Sequence, residues 1–126
     1  AVCKCIYVYI FYHYCNYSMD CVLCTNTMGL ANQCQLITYP DSFGKNLSEL
    51  FSAAEQYLEG VVSGVHILPF YPSSADRGFA PLTYFMVDSR FGSWEDVKKI
   101  GERYYLVADF MLNHISRQSE YFQDFL

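Results

Sequence analysis

Three residues in two short polar stretches have side chains that could together bind a sugar. Asp76 and Phe79 lie in SSADRGFAP, and His114 ends DFMLNH. A carboxylate accepts hydrogen bonds from hydroxyl groups, and a neutral imidazole can both donate and accept one. An aromatic ring offers an apolar platform to the face of a pyranose. From spacing alone, a solvated Asp76, a core-filling Phe79 and a structural His114 remain the plainer interpretations.

Both stretches follow segments that are predicted to be β-strands. Gln33 to Tyr39 is the first predicted strand, Val61 to Leu68 the second and Tyr105 to Asn113 the third. Pro69 should end the second, because proline cannot donate to a central strand ladder. Polar loops that follow parallel strands are where an α/β barrel carries its binding site.

Two helices are predicted between these strands. The first runs from Asn46 to Glu59 and the second from Trp94 to Arg103, with Ser93 and Asp96 as a capping box. A third helix or loop begins at Ser116. Strands that alternate with helices imply an α/β fold with a parallel sheet. Helical spacing assigns the inner faces to Leu47, Leu50, Phe51, Ala54, Tyr57 and Leu58, and to Trp94, Val97, Ile100 and Tyr104.

Other polar residues near the two stretches receive plainer predictions. His66, in the middle of an apolar strand, is expected to be a satisfied core histidine. Arg77 is expected either to pair with Asp76 or to point to solvent. Asp109 is placed inside the third strand. Since side chains alternate along a strand, Asn113 and His114 could share one face only if the backbone turned there.

Five stretches of the chain carry a resemblance to a known family. They are QLITYPDS, GVHILPF, SSADRGFAP, FGSWEDV and DFMLNHISRQS, in that order. Together they resemble the sucrose phosphorylases of the alpha-amylase superfamily, and DFMLNH matches the Asp-x-x-x-Asn-His region which that superfamily shares. The resemblance covers roughly residues 28–126. It implies the N-terminal part, about three βα units, of a (β/α)8 TIM barrel that is incomplete here, since a whole barrel needs about 250 residues.

The resemblance also implies a function. The whole enzyme would be a retaining glucosyltransferase that converts sucrose and phosphate to α-glucose 1-phosphate and fructose. Asp76, Phe79 and His114 would bind the glucosyl unit, and Asp109 and Asn113 would support the strand end. Retention requires a nucleophile and an acid/base about 5–5.5 Å apart. In the superfamily these groups follow later strands, so we expect them beyond Leu126, and the 126-residue chain is expected to be inactive alone.

The expected ligands are sucrose or a related glucoside, together with inorganic phosphate as co-substrate. No metal and no further cofactor is expected, although the equivalent of Asn113 helps to bind calcium in many amylases. Two other enzyme functions remain open: a phosphorylase of sucrose 6'-phosphate or another glucoside, and an amylase-type hydrolase, which SSADRGFAP disfavours. From a different class, a non-catalytic truncated product remains open as well.

Composition narrows the classes of partner. The net charge is −5 and the 8 Lys and Arg residues are scattered, which argues against a nucleic-acid partner. The longest apolar run at the start of the chain, Cys5 to Tyr12, is far shorter than the roughly 20 residues of a membrane span. We therefore expect no membrane partner and a cytoplasmic location. The full-length enzyme is further expected to be able to form a homodimer.

The first 27 residues differ in composition from the rest. Five of the 6 cysteines precede Met28, which resembles a natural start. Residues 1–27 are predicted to be a leader that is disordered or not native, with a targeting leader as the alternative, and residues 28–126 the partial catalytic barrel. The clustering argues against a disulfide framework. Cys21 and Cys24 form a lone CxxC pair, which is insufficient to indicate a metal site.

Overall fold

Residues 34–126 are described by the computed structural model, except for the side chain of Asp76, and they lie in one compact unit. The predicted leader, residues 1–27, and the predicted start at Met28 lie outside the described residues. So do Cys21 and Cys24.

The unit is built on a three-stranded parallel sheet. Strands β1 (Cys34–Thr38), β2 (Val62–Ile67) and β3 (Tyr105–Ala108) lie in the order β1-β2-β3. The register pairs Thr38 with Ile67 and Ile67 with Ala108, so the three strands end level with one another. The segments that follow them therefore meet along one edge. The predicted alternation of strands and helices is confirmed.

Helix α1 (Leu47–Leu58) joins β1 to β2. The Asn46 side chain accepts a hydrogen bond from the Glu49 backbone N–H at 2.9 Å, which caps the helix. Leu47, Leu50 and Ala54 are buried, but Tyr57 is 72% exposed and does not belong to the inner face.

The last turn of α1 makes ionic contacts instead. Arg103 of the following helix pairs with Glu55 at 2.8 Å and also with Glu59. These ion pairs lie at the surface, so they orient the two helices more than they stabilise the fold.

Helix α2 (Trp94–Arg103) joins β2 to β3 and has the predicted bounds. The Ser93 backbone N–H donates to the Asp96 carboxylate at 2.9 Å, which confirms the capping box. Val97 and Ile100 are almost fully buried, whereas Trp94 is half-buried. A short helix α3 (Glu120–Phe125) follows β3.

The core lies between the sheet and helices α1 and α2. Its fully buried side chains come from both strands and helices, which is the packing expected of βα units. They include Leu47, Leu50, Val65, Ile67, Val97 and Ile100. No helix among residues 34–126 has the length and apolar character needed to cross a membrane.

Strand β3 is shorter than predicted. It ends at Ala108 and not at Asn113, so Asp109 and His114 both follow the strand. The reason lies in its neighbour β2. Beyond Ile67, the Leu68 N–H donates to Thr38 of β1, and Pro69 carries no N–H. Beyond Ala108, strand β3 therefore finds no further backbone group of β2 with which to form a ladder hydrogen bond.

Candidate functional site

Hydrogen bonds between residues 72–74 and residues 80–82 close the base of the long loop after β2, which we call its neck. The Leu82 N–H donates to the Pro72 carbonyl at 2.8 Å, and the Ser74 N–H donates to the Ala80 carbonyl at 3.1 Å. The Ala80 N–H donates to the Ser73 hydroxyl at 3.2 Å. The neck thus holds residues 75–79 as a separate tip.

A single turn of 3-10 helix, Asp76–Gly78, forms the tip of this loop. Gly78 has φ +100°, and a Cβ atom there would lie 2.5 Å from the carbonyl oxygen of Pro69. Only glycine fits both this backbone conformation and this close approach. The tip therefore packs closely against Pro69, two residues beyond the end of β2.

Arg77 reaches back to the segment after β1. Its guanidinium donates to Asp41 Oδ1 at 2.7 Å, and its Cζ lies 4.0 Å from the centre of the Tyr39 ring. Arg77 is largely exposed, in agreement with one of the two predicted alternatives, and it also pairs with the carboxylate of Asp41. Arg77 has φ 44°, a conformation that side-chain-bearing residues seldom adopt.

His114 joins the segment after β3 to the same loop tip. Its Nε2 lies 2.8 Å from the carbonyl oxygen of Phe79. A carbonyl can only accept, so Nε2 carries the proton, and in the neutral ring Nδ1 is left as an acceptor. His114 is exposed and Phe79 half-buried. Two of the predicted binding residues are thus brought together by a direct hydrogen bond.

A third contact links β2 to the segment after β3. His66 Nε2 lies 2.8 Å from Asp109 Oδ1, and both side chains are about one-fifth exposed. His66 is satisfied, as predicted, but it is not a core residue. This contact follows from the pairing of β2 with β3. His66 is paired with Val107, and Asp109 lies two residues further along the chain on the same face of the sheet.

Tyr71 and Tyr84 lie next to these groups. Tyr71 is buried, and burial raises the pKa of its hydroxyl above the ordinary value of 10.0, helped by the nearby Tyr84 and Asp109. The Tyr84 hydroxyl donates to the Met111 carbonyl at 2.7 Å. Both phenols are therefore neutral at physiological pH and serve as packing and hydrogen-bonding groups.

An open pocket of about 680 Å³ lies beside His114. Asn113 is exposed and lines it together with His114, while Phe79 does not. The other lining residues, mostly apolar, are Tyr84, Phe85, Phe110, Met111, Leu112, Ile115, Tyr121 and Phe122. The backbone of Asp76 lies at the loop tip, and its side chain is outside what the structure describes.

The described residues around the loop tip supply groups that can bind a ligand. Two described carboxylates, Asp41 and Asp109, are each held by a basic side chain, Arg77 and His66 respectively. Such pairing suits structural carboxylates better than a nucleophile or a proton donor. Within residues 34–126, no group of three or more His, Cys, Asp or Glu side chains could hold a metal ion.

Comparison with known proteins places this arrangement in a family context. No protein-family model matches the chain. The sucrose phosphorylase of Streptococcus mutans is 59% identical over 98 residues, which are 78% of this chain and 20% of that protein. The sucrose 6(F)-phosphate phosphorylase of Thermoanaerobacterium thermosaccharolyticum is 56% identical over 99 residues, 79% of this chain and 20% of that protein.

A solved structure gives the same result for the fold. The crystal structure of sucrose 6F-phosphate phosphorylase from Thermoanaerobacter thermosaccharolyticum superposes with a TM-score of 0.74 at 53% identity. It covers 80% of this chain and 20% of that one. The chain spans about one fifth of the length of the relatives it matches. By sequence and by fold, the chain is a segment of a (β/α)8 barrel similar to the sucrose phosphorylases and related glucoside phosphorylases of the alpha-amylase superfamily.

Proposed function

We propose that the described residues form part of the glucosyl-binding site of a glucoside phosphorylase. The whole protein would transfer glucose from sucrose to inorganic phosphate and release fructose, with retention at the anomeric carbon. A carboxylate would displace fructose to give a glucosyl-enzyme, and a phosphate oxygen would then displace that carboxylate. No metal and no cofactor beyond phosphate is part of this proposal.

The observation that carries the proposal is the contact between His114 and Phe79. Both are expected sugar-binding residues, they follow different strands, and a 2.8 Å hydrogen bond joins them at the loop tip that also carries Asp76. The high identity to the sucrose phosphorylase of Streptococcus mutans supports sucrose as the donor.

Within this proposal, Asp76, Phe79 and His114 hold the glucosyl unit. His114 presents Nδ1 as an acceptor for a sugar hydroxyl, while Phe79 packs against the pyranose face. Asp109 and Asn113 support the segment that carries His114: Asp109 ties it to β2 through His66, and Asn113 borders the pocket. None of the described residues is assigned as nucleophile or acid/base.

The test is phosphorolysis by the purified full-length protein, because the 126-residue chain is expected to be inactive alone. Sucrose and phosphate should give equimolar glucose 1-phosphate and fructose, with no product when phosphate is omitted. Sucrose 6'-phosphate, the donor named for the Thermoanaerobacterium relative, is the second candidate. Free glucose released equally with and without phosphate would instead indicate a hydrolase.

A protein that binds sucrose without turnover would be the non-catalytic alternative. Isothermal titration of the protein with sucrose, in the absence of product formation, would reveal it. A cytoplasmic location and a homodimer of the full-length enzyme belong to the same proposal. The exposed Cys34 thiol, which is not in a disulfide, is compatible with a reducing compartment.

A further inference from the structure

The tip of the loop after β2 is anchored from two sides. On one side His114 donates to the Phe79 carbonyl at 2.8 Å. On the other, Arg77 bonds to Asp41 at 2.7 Å and stacks over Tyr39. The neck hydrogen bonds fix where the loop leaves the sheet, but they do not fix the orientation of residues 75–79. That orientation depends on these two anchors, together with the close packing of Gly78 against Pro69 and the hydrogen bond from the Ser73 hydroxyl to the Ala75 carbonyl.

The backbone at Arg77 has an unfavourable conformation. At φ 44° and ψ 42° it is left-handed, and a left-handed residue with a side chain costs about 1–2 kcal/mol. Gly78, which follows, could adopt such a conformation freely. Strain of this kind persists only where surrounding contacts over-determine it, and it is concentrated at functional sites. The contacts to Tyr39 and Asp41 are the ones available to hold it.

Arg77 stands between Asp76 and the Gly78–Phe79 pair in sequence. The direction that the chain takes at Arg77 therefore sets where the backbone of Asp76 lies relative to Phe79. We propose that Arg77 is a positioning residue of the loop after β2, which binds the sugar in the proposed function. Arg77 acts through Tyr39 and Asp41, just after the end of β1, and it does not touch the sugar. This inference rests on the proposed function.

The expected kinetic effect follows from a population argument. If the anchor is lost, the loop spends only part of its time in the binding-competent form, and the apparent affinity falls by that fraction. Once bound, the sugar still orders the loop, so turnover is little changed. The loss of an exposed ion pair and a cation–π contact should together lower the apparent affinity by a factor of about 5 to 30.

The main variant is Arg77→Asn, because asparagine tolerates the left-handed conformation and removes only the guanidinium contacts. For phosphorolysis of sucrose, KM should rise about 5- to 30-fold while kcat stays within about twofold. Arg77→Lys keeps the charge but loses the planar stacking group, so its KM should lie between those of the wild type and Arg77→Asn.

Arg90→Asn is the matched control. Arg90 also bonds to an aspartate, Asp88, at 2.8 Å, and lies 5.3 Å from the centre of the Phe91 ring, but outside the loop tip. Its KM should equal that of the wild type. Equal KM values for Arg77→Asn and Arg90→Asn would overturn the proposal. So would a fall in kcat with unchanged KM, which indicates only a loss of folded protein.

A second measurement does not depend on turnover. Hydrogen–deuterium exchange of the purified protein should be faster in residues 73–80 of Arg77→Asn and unchanged there in Arg90→Asn. Unchanged exchange in Arg77→Asn rejects the anchor. If the full-length wild type yields no glucose 1-phosphate from any donor, the proposed function fails, while the exchange result still decides whether Arg77 fixes the loop.

Discussion

Asp76 is the single residue on which the proposed glucosyl site depends most. Asp76→Asn keeps the shape of the side chain and removes its charge. A hydrogen bond to a charged group is worth about 1.5–3 kcal/mol, so kcat/KM should fall by about 10- to 200-fold. The fold should survive, because the residue lies at a loop tip. Steady-state phosphorolysis of sucrose measures the effect.

Asp124→Asn is the control for that prediction, since Asp124 is an exposed carboxylate on α3. Donors that lack one glucosyl hydroxyl then locate the contact. Removing the hydroxyl that Asp76 holds should harm the wild type far more than Asp76→Asn. If every deoxy donor harms both proteins by the same factor, Asp76 does not touch the sugar.

At the scale of residues, sequence located the site segments but not the contacts inside them. The stretches that carry Asp76, Phe79 and His114 could be found from motif resemblance. The partner of Arg77 could not, because Asp41 lies 36 positions away and meets it only where β1 and β2 lie side by side. The roles of Asp76, Phe79 and His114 in sugar binding stay predictions.

At the scale of elements, the loop after β2 depends on Gly78. Gly78→Ala should destabilise the protein by about 2–4 kcal/mol, since it adds a clash with the Pro69 carbonyl to the strain of a positive φ. Gly60→Ala is the matched control: it also has a positive φ, +75°, but no atom lies within 4 Å of its added Cβ. It should cost about 1–2 kcal/mol. Urea unfolding of both variants compares them, and equal losses would contradict the close packing at Gly78.

The turn before α2 should carry a pH-dependent contribution to stability. Hydrogen bonds from Arg90 hold the pKa of Asp88 below its ordinary value of 3.8. A carboxyl group whose pKa is lower in the folded state than in the unfolded state stabilises the protein at pH values above the unfolded-state pKa. This stabilisation is lost as the pH falls through the folded-state pKa.

Asp88→Asn should therefore lower the free energy of unfolding by about 0.5–1.5 kcal/mol at pH 7. The difference from the wild type should shrink as the pH falls below about 3.8, the ordinary pKa of Asp88. Urea unfolding at several pH values measures it. A difference that is the same at pH 7 and in acid would show that the charge of Asp88 contributes nothing.

The bounds of the helices were predicted closely from sequence, because the capping residues and the apolar spacing that define a helix lie within the helical segment itself. Helix α2 has the predicted bounds, Trp94 to Arg103, and its capping box is present. The end of β3 could not be read in this way. Asp109 to Asn113 carries apolar residues typical of a strand, but whether they pair depends on Pro69, which follows the neighbouring strand β2.

At the scale of the whole molecule, the sheet of residues 34–126 has two outer edges. Strands β1 and β3 each pair with β2, and within the described residues neither has a partner on its other side. Apolar side chains are exposed as well, including Ile37 at 61% and Leu112 at 67%. Unpaired edges and exposed apolar surface favour association.

Residues 34–126 produced alone should therefore self-associate and should not melt cooperatively as a monomer. Sedimentation velocity and calorimetry test this. Ile37→Lys in the same segment should reduce the association, because a lysine on an edge strand opposes edge-to-edge pairing. A sharp thermal transition from a monomer would show that these residues form an independent domain.

Trp94 gives the molecule its own fluorescent reporter. It is the 1 tryptophan in the chain, and its ring stands edge-on to Phe70, with the centres 5.7 Å apart. Phe70 directly follows Pro69, against which Gly78 packs. Tryptophan emission from residues 1–126 therefore originates close to the loop after β2. A sugar that moves the loop should change the wavelength or the intensity of that emission, so binding can be followed without a label or a reaction.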